Sequence, residues 1–274
     1  MMQPRRVGLV LTRPARVLGE EPYYHEFIEG LERMLTPMGV SVLLKVVTDR
    51  AAETATYQRW AADRQVSGVL LVDLAPGDER AQLVERLELA AAVIGDPSTA
   101  PGLPAVRTDD AGGAREATRF LAERGHRTIG HVSGPMGFAQ TQLRRDGFEA
   151  EAAVRGMTVL KAEGDFSYES GKAAAETLLR TAATAIVFDN DVMAIAGLEA
   201  AREAGRTVPA DVSVIAWDDS AQCQLAVPAL SALSHDAERI GELAAAAILD
   251  AMTGPEAVVY EAPDAHIVVR ESTN

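Results

Sequence analysis

The chain alternates short apolar runs with longer segments of helical periodicity, and this alternation most strongly constrains its fold. Runs rich in Val, Ile and Leu are typical of parallel strands covered on both faces. The segments between them carry apolar residues at three- and four-residue spacing, which predicts helices. This repetition indicates an α/β protein with parallel sheets. The predicted strands are 7–12, 40–47, 68–72, 91–95, 128–134, 184–189 and 212–218, and the predicted helices are 23–38, 51–64, 109–124, 137–155, 168–181 and 191–204.

Several helix ends are marked by residue type. Gly39, Gly125 and Gly205 each follow a predicted helix, where the chain needs a left-handed closing residue. At the opposite ends, a side-chain oxygen is needed to accept from the first free backbone N–H groups. The candidates are Asp109 or Asp110 for the helix 109–124, and Asn190 or Asp191 for the helix 191–204.

Length and composition narrow the class of protein. At 274 residues, with 47% hydrophobic and 24% charged, the chain suits a globular protein of two lobes. The apolar run 7–11 is too short for a signal peptide, and no run approaches the ~20 apolar residues of a membrane span. The single cysteine, Cys223, cannot form an intramolecular disulfide and is predicted to be a buried thiol. A cytoplasmic protein is expected.

The charge balance argues against direct nucleic-acid binding. The net charge is −14, from 40 acidic and 26 basic residues, and no dense Lys/Arg run offsets it. A surface this negative repels phosphate backbones. The chain on its own is therefore expected to bind DNA poorly.

Polar residues stand at the carboxyl ends of predicted strands in both halves of the chain: Arg13, Asp96, Asn190 and Asp218. In open α/β sheets, ligands bind in the crevice beyond these strand ends. Their distribution predicts two sheets that face a shared cleft, which is a two-lobed clamp.

Catalysis and metal binding find little support. The chain has no Gly-x-Ser-x-Gly elbow, no phosphate-binding Gly-rich loop ending in Lys-Ser/Thr and no His-Glu-x-x-His pair. The acidic triplet 189–191 lacks the regular oxygen ligands of a calcium loop, because apolar Val192, Met193 and Ile195 follow it. His126 is expected to be structural. We predict a non-enzyme without cofactor or metal.

Six segments in order resemble the effector-binding core of LacI/GalR-type transcriptional regulators: RFLAERGHRTIGHVSGP (119–135), RRDGFEA (144–150), GDFSYESGKAAAETLL (164–179), TAIVFDNDVMAIAGLEAAREAGRTVPADVSVIAWDDS (184–220), PALSALSHDAERIG (228–241) and IVVRESTN (267–274). The resemblance covers nearly the whole chain and implies a periplasmic-binding-protein-like clamp with three crossovers. One lobe would combine 5–108 with 236–260, and the other 109–235 with 261–274. Members of the family carry a helix-turn-helix before this core, whereas here the first strand begins at Val7.

Carried over by position, the family's ligand contacts fall on Asp96, Arg144, Phe166, Asn190, Asp218 and His235. Arg144 offers a planar fork of donors for two hydroxyls or a carboxylate, although it could be a solvated helix residue. The carboxylate of Asp218 could accept from sugar hydroxyls, or cap a helix near Ser220. Asn190 both donates and accepts, and capping by Asp191 would leave it free for a ligand.

The remaining candidates are more open. Phe166 could stack on a sugar ring or plug the edge of the core, and Asp96, before Pro97, could simply start a turn. His235 stands where the family often has Gln. Tyr24 could face the cleft or merely begin a helix after Pro22, which suits a first-turn position.

The resemblance implies the sensing core of a repressor or activator whose effector is a small polar molecule, most plausibly a sugar. Operator DNA would be bound only through the helix-turn-helix, by a homodimer, since a two-fold operator needs two reading heads. The helix 191–204 offers apolar side chains for contact with a second chain. The alternative is a solute-binding protein that delivers a sugar to a transporter and shares the clamp fold.

Overall fold

The protein divides into two compact units, and the chain passes between them three times. A computed structural model describes residues 5–13, 22–254 and 256–273. Unit 1 contains residues 1–108 and 237–263, and unit 2 contains residues 109–236 and 264–274. Helices and strands are numbered below in chain order.

Unit 1 is built on a parallel sheet of six strands in the order β11-β5-β4-β3-β1-β2. Its strands are β1 Arg5–Thr12, β2 Val40–Val47, β3 Gly68–Leu71, β4 Ala90–Ile94, β5 Ala105–Arg107 and β11 Val259–Glu261. Its helices are α1 Pro22–Leu35, α2 Arg50–Ala62, α3 Arg80–Arg86 and α9 Ala237–Thr253. Short 3₁₀ turns lie at Thr36–Met38 and Pro97–Thr99.

Strand β1 shows why the run 7–11 is apolar. Val7 and Leu9 belong to one core cluster with side chains of α1 and α9. Val10 belongs to the cluster on the opposite face, with Tyr57 and Trp60 of α2. Because successive side chains of a strand point to opposite faces and both faces of this sheet are covered, the buried part of β1 is apolar at every position.

Unit 2 repeats this plan with one difference. Its sheet has the order β12-β10-β9-β8-β6-β7, and among the described strands of this sheet β12 pairs antiparallel with β10. Its strands are β6 Thr128–Ser133, β7 Thr158–Glu163, β8 Ala185–Phe188, β9 Ser213–Trp217, β10 Ser231–Ser234 and β12 His266–Val268. Its helices are α4 Asp110–Glu123, α5 Ala139–Arg155, α6 Tyr168–Leu179, α7 Asp191–Glu203 and α8 Ala221–Leu225.

Gly147 allows α5 to pack closely against α4. A Cβ atom at this position would meet the backbone of Ala111, which cannot move aside without shifting the helix. Substitutions that overpack such contacts typically cost about 1–3 kcal/mol. The contact matters for the site, because it brings α5 and its Arg144 next to the first turn of α4.

The fold class predicted from the sequence is confirmed, and every predicted strand and helix is present. Gly39, Gly125 and Gly205 all have the positive φ expected of closing residues. Asp109 caps α4 by accepting from the backbone N–H of Gly112. The elements that the sequence analysis did not predict are the short strands β5, β7, β10, β11 and β12 and the helices α3, α8 and α9.

Two further expectations concern surfaces. The prediction that helix 191–204 offers its apolar side chains to a second chain is wrong, because Val192, Met193 and Ala196 are buried. Ile195 and Leu198 also pack against the core of unit 2. No helix within the described residues is long and apolar enough to span a membrane.

Candidate functional site

The Asp-Asn-Asp triplet 189–191 joins β8 to α7 at the carboxyl edge of the unit 2 sheet. Asn190 is the N-cap, since its Oδ1 accepts from the N–H of Met193 at 2.9 Å. Its Nδ2 donates to the carbonyl of Phe166 at 2.9 Å. Asp191 accepts from the N–H of Ser220 at 2.7 Å. The expectation that Asp191 caps the helix and leaves Asn190 free is therefore wrong. Asn190 is the cap, and the Asp191 carboxylate accepts from Ser220 instead.

Asp189 forms a buried pair with a histidine of the neighbouring strand. Nε2 of His131, on β6, lies 2.8 Å from Oδ1 of Asp189, and both side chains are almost fully buried. The second carboxylate oxygen accepts from the N–H of Gly134 at 3.0 Å. Burial raises the pKa of Asp189, but the charge and hydrogen bond of His131 and the charge of Arg144 outweigh it and lower that pKa. The carboxylate stays ionised with both oxygens occupied.

Arg144, on α5, is held at two points. Its Nε donates to Oδ1 of Asp110 at 2.7 Å, and its Nη1 donates to the carbonyl of Asp189 at 2.9 Å. The guanidinium carbon lies 4.1 Å from the centre of the Trp217 ring, in cation–π geometry. Burial lowers the pKa of Arg144, but the charges of Asp110, Asp189 and Asp218 outweigh it and raise that pKa. Arg144 is a fixed cation rather than a solvated helix residue.

Strand β9 ends at the same carboxyl edge of the unit 2 sheet as β8. Trp217 is buried, and the two following residues, Asp218 and Asp219, have φ values of +103° and +63°. Such values are uncommon for residues other than glycine, and they cluster at sites that bind ligands. The alternative that Asp218 caps α8 is not observed, because the N-cap there is Ser220. Asp218 lies close enough to Arg144 for its charge to raise the pKa of that residue.

His235 follows β10 and lies against Trp217, with ring centres 5.3 Å apart. Burial, together with the charges of Arg144 and His266, lowers the pKa of His235 to about 3. The imidazole is therefore neutral at physiological pH. Within the described chain, Nε2 of His235 and Nε1 of Trp217 are buried without a hydrogen-bond partner. Two such atoms near Arg144 leave hydrogen-bonding capacity that a ligand could satisfy.

Phe166 is also part of this region, but its ring is packed by the protein. Its ring stacks on that of Phe138, with centres 6.4 Å apart, and a Cβ at Gly134 would collide with it. The residue has a positive φ of 69°, and its carbonyl holds Asn190. These contacts fit the alternative in which the aromatic side chain plugs the edge of the core.

Asp96 and Tyr24 lie in unit 1. Asp96 starts the 3₁₀ turn 97–99 by accepting from the N–H and the hydroxyl of Ser98, which is the turn role weighed for it above. Tyr24 lies in the first turns of α1, is buried, and places its hydroxyl 3.4 Å from a carboxylate oxygen of Asp73. Arg13 forms an ion pair of 2.8 Å with the same carboxylate oxygen.

The structure thus brings Arg144, Asn190, Asp218 and His235 to one edge of the unit 2 sheet. Sequence reasoning missed Trp217, the Asp110 contact and the His131–Asp189 pair. The available signal was a histidine within a strand of mostly apolar residues, His131, because polar side chains are seldom buried without a partner. Among the residues that the structure describes, no group of His, Cys, Asp and Glu is arranged to hold a metal ion.

Comparison with known proteins agrees with this geometry. Residues 118–273 match the periplasmic binding protein-like domain family. The transcriptional regulator CelR of Thermobifida fusca is 32% identical, over 97% of this chain and 80% of its own length. A LacI family regulator from Bifidobacterium animalis has the same fold, with a TM-score of 0.88, 33% identity and coverage of 99% of this chain and 98% of its own.

A CelR–cellobiose complex is similar as well, with a TM-score of 0.89, 31% identity and coverage of 99% of this chain and 86% of its own. These relatives are transcriptional regulators rather than enzymes or transport proteins. Together with the shared fold, they show that the chain belongs to the LacI family of transcriptional regulators and corresponds to its ligand-sensing core.

Proposed function

We propose that this core senses a small polyhydroxylated effector, a sugar, which binds at the carboxyl edge of the unit 2 sheet. The observation that carries the proposal is the anchored Arg144, which is fixed by Asp110 and Asp189 and stacked on Trp217. Its Nη2 donates no hydrogen bond to any described residue. A preorganised donor beside the carboxylate of Asp218 suits a pair of hydroxyl groups.

Cellobiose is the first effector to test, because it is the ligand in the CelR complex. The proposed contacts in unit 2 are Arg144, Asp218, His235 and Asn190, the last through the second N–H of its Nδ2, because Oδ1 caps α7 and the first N–H donates to Phe166. Phe166 is proposed to shape the wall of the site, and Asp96 and Tyr24 are the proposed contributions of unit 1.

Replacing Asp218 with Asn is expected to weaken cellobiose binding roughly 10- to 100-fold, because a charge-assisted hydrogen bond contributes about 1.5–3 kcal/mol. Asn is preferred to Ala here because it tolerates the positive φ of this position. Isothermal titration calorimetry measures the effect. Asp146→Asn is the matched control: this carboxylate is exposed, pairs with Arg145 and should leave the affinity unchanged. Equal affinities of wild type and Asp218→Asn would contradict the assignment.

We further propose that operator DNA is bound through a helix-turn-helix of the kind that family members carry before this core. A core with a net charge of −14 lacks the cations that release counterions from phosphates. Effector binding would alter DNA affinity only if it favours one arrangement of the core over another. A role at the operator places the protein in the cytoplasm.

The regulator is proposed to act as a homodimer. Leu225 of α8 and Val227 just after it are 81% and 92% exposed, which is unusual for large apolar side chains that adjoin each other. We expect light scattering at micromolar concentration to give twice the chain mass. The double variant Leu225→Ser, Val227→Ser should give the chain mass itself.

Val154→Ser provides the control for this experiment, since Val154 is 82% exposed on α5 and should not affect assembly. A dimer that survives the double substitution would exclude this surface. A wild-type protein that is monomeric would exclude the homodimer.

A further inference from the structure

The contacts around Arg144 form a closed ring. The guanidinium donates to the carbonyl of Asp189 at 2.9 Å, and the Asp189 carboxylate meets His131 at 2.8 Å. The His131 ring lies 4.3 Å from that of Phe148, which is one helical turn beyond Arg144 on α5. Phe148 meets Trp217 edge to face at 6.5 Å, and Trp217 in turn underlies the guanidinium. Each member of the ring restricts the next, so Arg144 has little freedom to move.

Both carboxylate oxygens of Asp189 already have partners within the protein. One oxygen is engaged by His131 and the other by the N–H of Gly134. Asp110 is likewise buried at the first turn of α4 and engaged by Arg144. Both aspartates contact Arg144 directly, Asp110 through its carboxylate and Asp189 through its carbonyl, so both can act on a ligand through Arg144.

Carboxylates already surround the charge of Arg144. Arg144 lies 2.7 Å from an oxygen of Asp110 and 3.9 Å from one of Asp189, and Asp218 is a third carboxylate close enough to act on it. His235 is neutral there, as described above. An anionic ligand group at Nη2 would meet a cation whose charge Asp110 and Asp189 already offset, and it would be repelled by those carboxylates.

We propose that Asp110 and the His131–Asp189 pair are positioning residues that set ligand specificity: they orient Arg144 and offset its charge, so that the site takes an uncharged hydroxylated ligand and excludes its carboxylate or phosphate counterpart. The proposal rests on the proposed sugar-sensing function. It adds that a single arginine in this site does not mark an anion site, because its charge is already balanced.

The test compares cellobiose with two acids derived from it, cellobionate and cellobiouronate, which carry a carboxylate at opposite ends of the disaccharide. We expect the wild type to bind cellobiose at least tenfold more tightly than either acid in calorimetry. Asp110→Asn keeps an acceptor oxygen for Nε but removes one charge. It should reduce the ratio of the cellobiose affinity to the acid affinity roughly tenfold, for the acid whose carboxylate lies nearer Arg144.

Asp109→Asn is the matched control, because Asp109 is the exposed neighbour of Asp110 and caps α4. It should leave the ratio of affinities unchanged. A wild type that binds either acid as tightly as cellobiose would overturn the specificity proposal, and so would an unchanged ratio for both acids in Asp110→Asn.

A second measurement needs no ligand and separates this proposal from the choice of sugar. In ¹⁵N-labelled protein, the Nε–H resonance of Arg144, assigned by its loss in Arg144→Lys, should exchange slowly with water. His131→Phe retains a ring against Phe148 but removes the partner of Asp189. We expect it to speed this exchange at least tenfold.

The outcomes are distinct. If none of the three disaccharides binds, the proposed ligand class fails while the exchange rate still reports on positioning. If exchange is as slow in His131→Phe as in the wild type, the pair does not position Arg144, whichever sugar binds.

Discussion

Replacing Arg80 with Met is expected to lower the free energy of unfolding of unit 1 by about 3–5 kcal/mol, the effect typical of removing one partner from a buried ion pair. Arg80 is buried and donates five hydrogen bonds: to both carboxylate oxygens of Asp78, to Glu53 and to the carbonyls of Val72 and Asp73. Met fills similar space but leaves two buried carboxylates without their main cation.

Glu53 depends on Arg80 most directly. It is buried on α2 and also accepts from the hydroxyl groups of Tyr57 at 2.9 Å and Thr12 at 3.2 Å. The cluster therefore ties α2 to the end of β1 and to the segment that follows β3. Its loss should loosen the carboxyl edge of the unit 1 sheet rather than its core.

The decrease in the free energy of unfolding caused by Arg80→Met should also depend on pH. Burial raises the pKa of Asp78, but its hydrogen bond to Arg80, the charge of Arg80 and backbone N–H groups outweigh it and lower that pKa to about 2. A carboxyl whose pKa is lowered on folding contributes stability above its unfolded pKa, and this contribution is lost as the pH falls towards 2. The difference between wild type and Arg80→Met should therefore shrink in acid.

Urea unfolding can follow unit 1 alone, because Trp60 lies in unit 1 and Trp217 in unit 2. In a Trp217→Phe background, the fluorescence reports Trp60. Arg50→Met is the control, since Arg50 also pairs with Glu53 but is 46% exposed and should cost less than about 1 kcal/mol. If Arg80→Met lowers the free energy of unfolding no more than Arg50→Met does, then Tyr57, Thr12 and solvent stabilise the Glu53 carboxylate without Arg80.

The sheets and long helices could be predicted because their signals are local. An apolar run such as 184–189 allows few alternatives when a capped helix follows it. The short strands β5 and β11 could not be predicted in this way, since three residues pair only because the rest of the sheet is already in place. The polar edge that holds the candidate site was visible in the order of residues along the chain.

The partners within that edge were not visible. His131 and Asp189 are 58 positions apart and meet only because β6 and β8 are paired with His131 opposite Val187. The same register sets the Asp189 carboxylate against His131, while the Asp189 carbonyl accepts from Arg144. Which residue of the triplet caps α7 likewise depends on Ser220, which draws Asp191 away. The sequence thus predicts the candidate site, whereas strand pairing determines which partners its residues contact.

The remaining large effect concerns Asp191, whose substitution by Asn should stabilise unit 2 at neutral pH. Burial raises the pKa of Asp191 to about 6, although hydrogen bonds from Ser220 lower it, and the charge of Asp219 adds to the rise. One carboxylate oxygen has no hydrogen-bond partner in the described chain. Because the folded pKa is above the unfolded one, the stability from this group is complete below about pH 4 and is lost as the pH rises through 6.

The loss is on the order of 3 kcal/mol by pH 7. Urea unfolding in a Trp60→Phe background, followed by Trp217, compares wild type with Asp191→Asn at pH 4 and pH 7. Subtracting the wild-type free energy of unfolding from that of the variant at each pH cancels the contributions of the other carboxyl groups. This difference should increase between pH 4 and pH 7 by about the amount that Asp191 costs the wild type. Asp165→Asn, whose carboxyl has a lowered pKa, should show the opposite trend. A constant difference for Asp191→Asn would mean that the Ser220 N–H and the amino-terminal end of α7 outweigh burial and keep this carboxylate ionised.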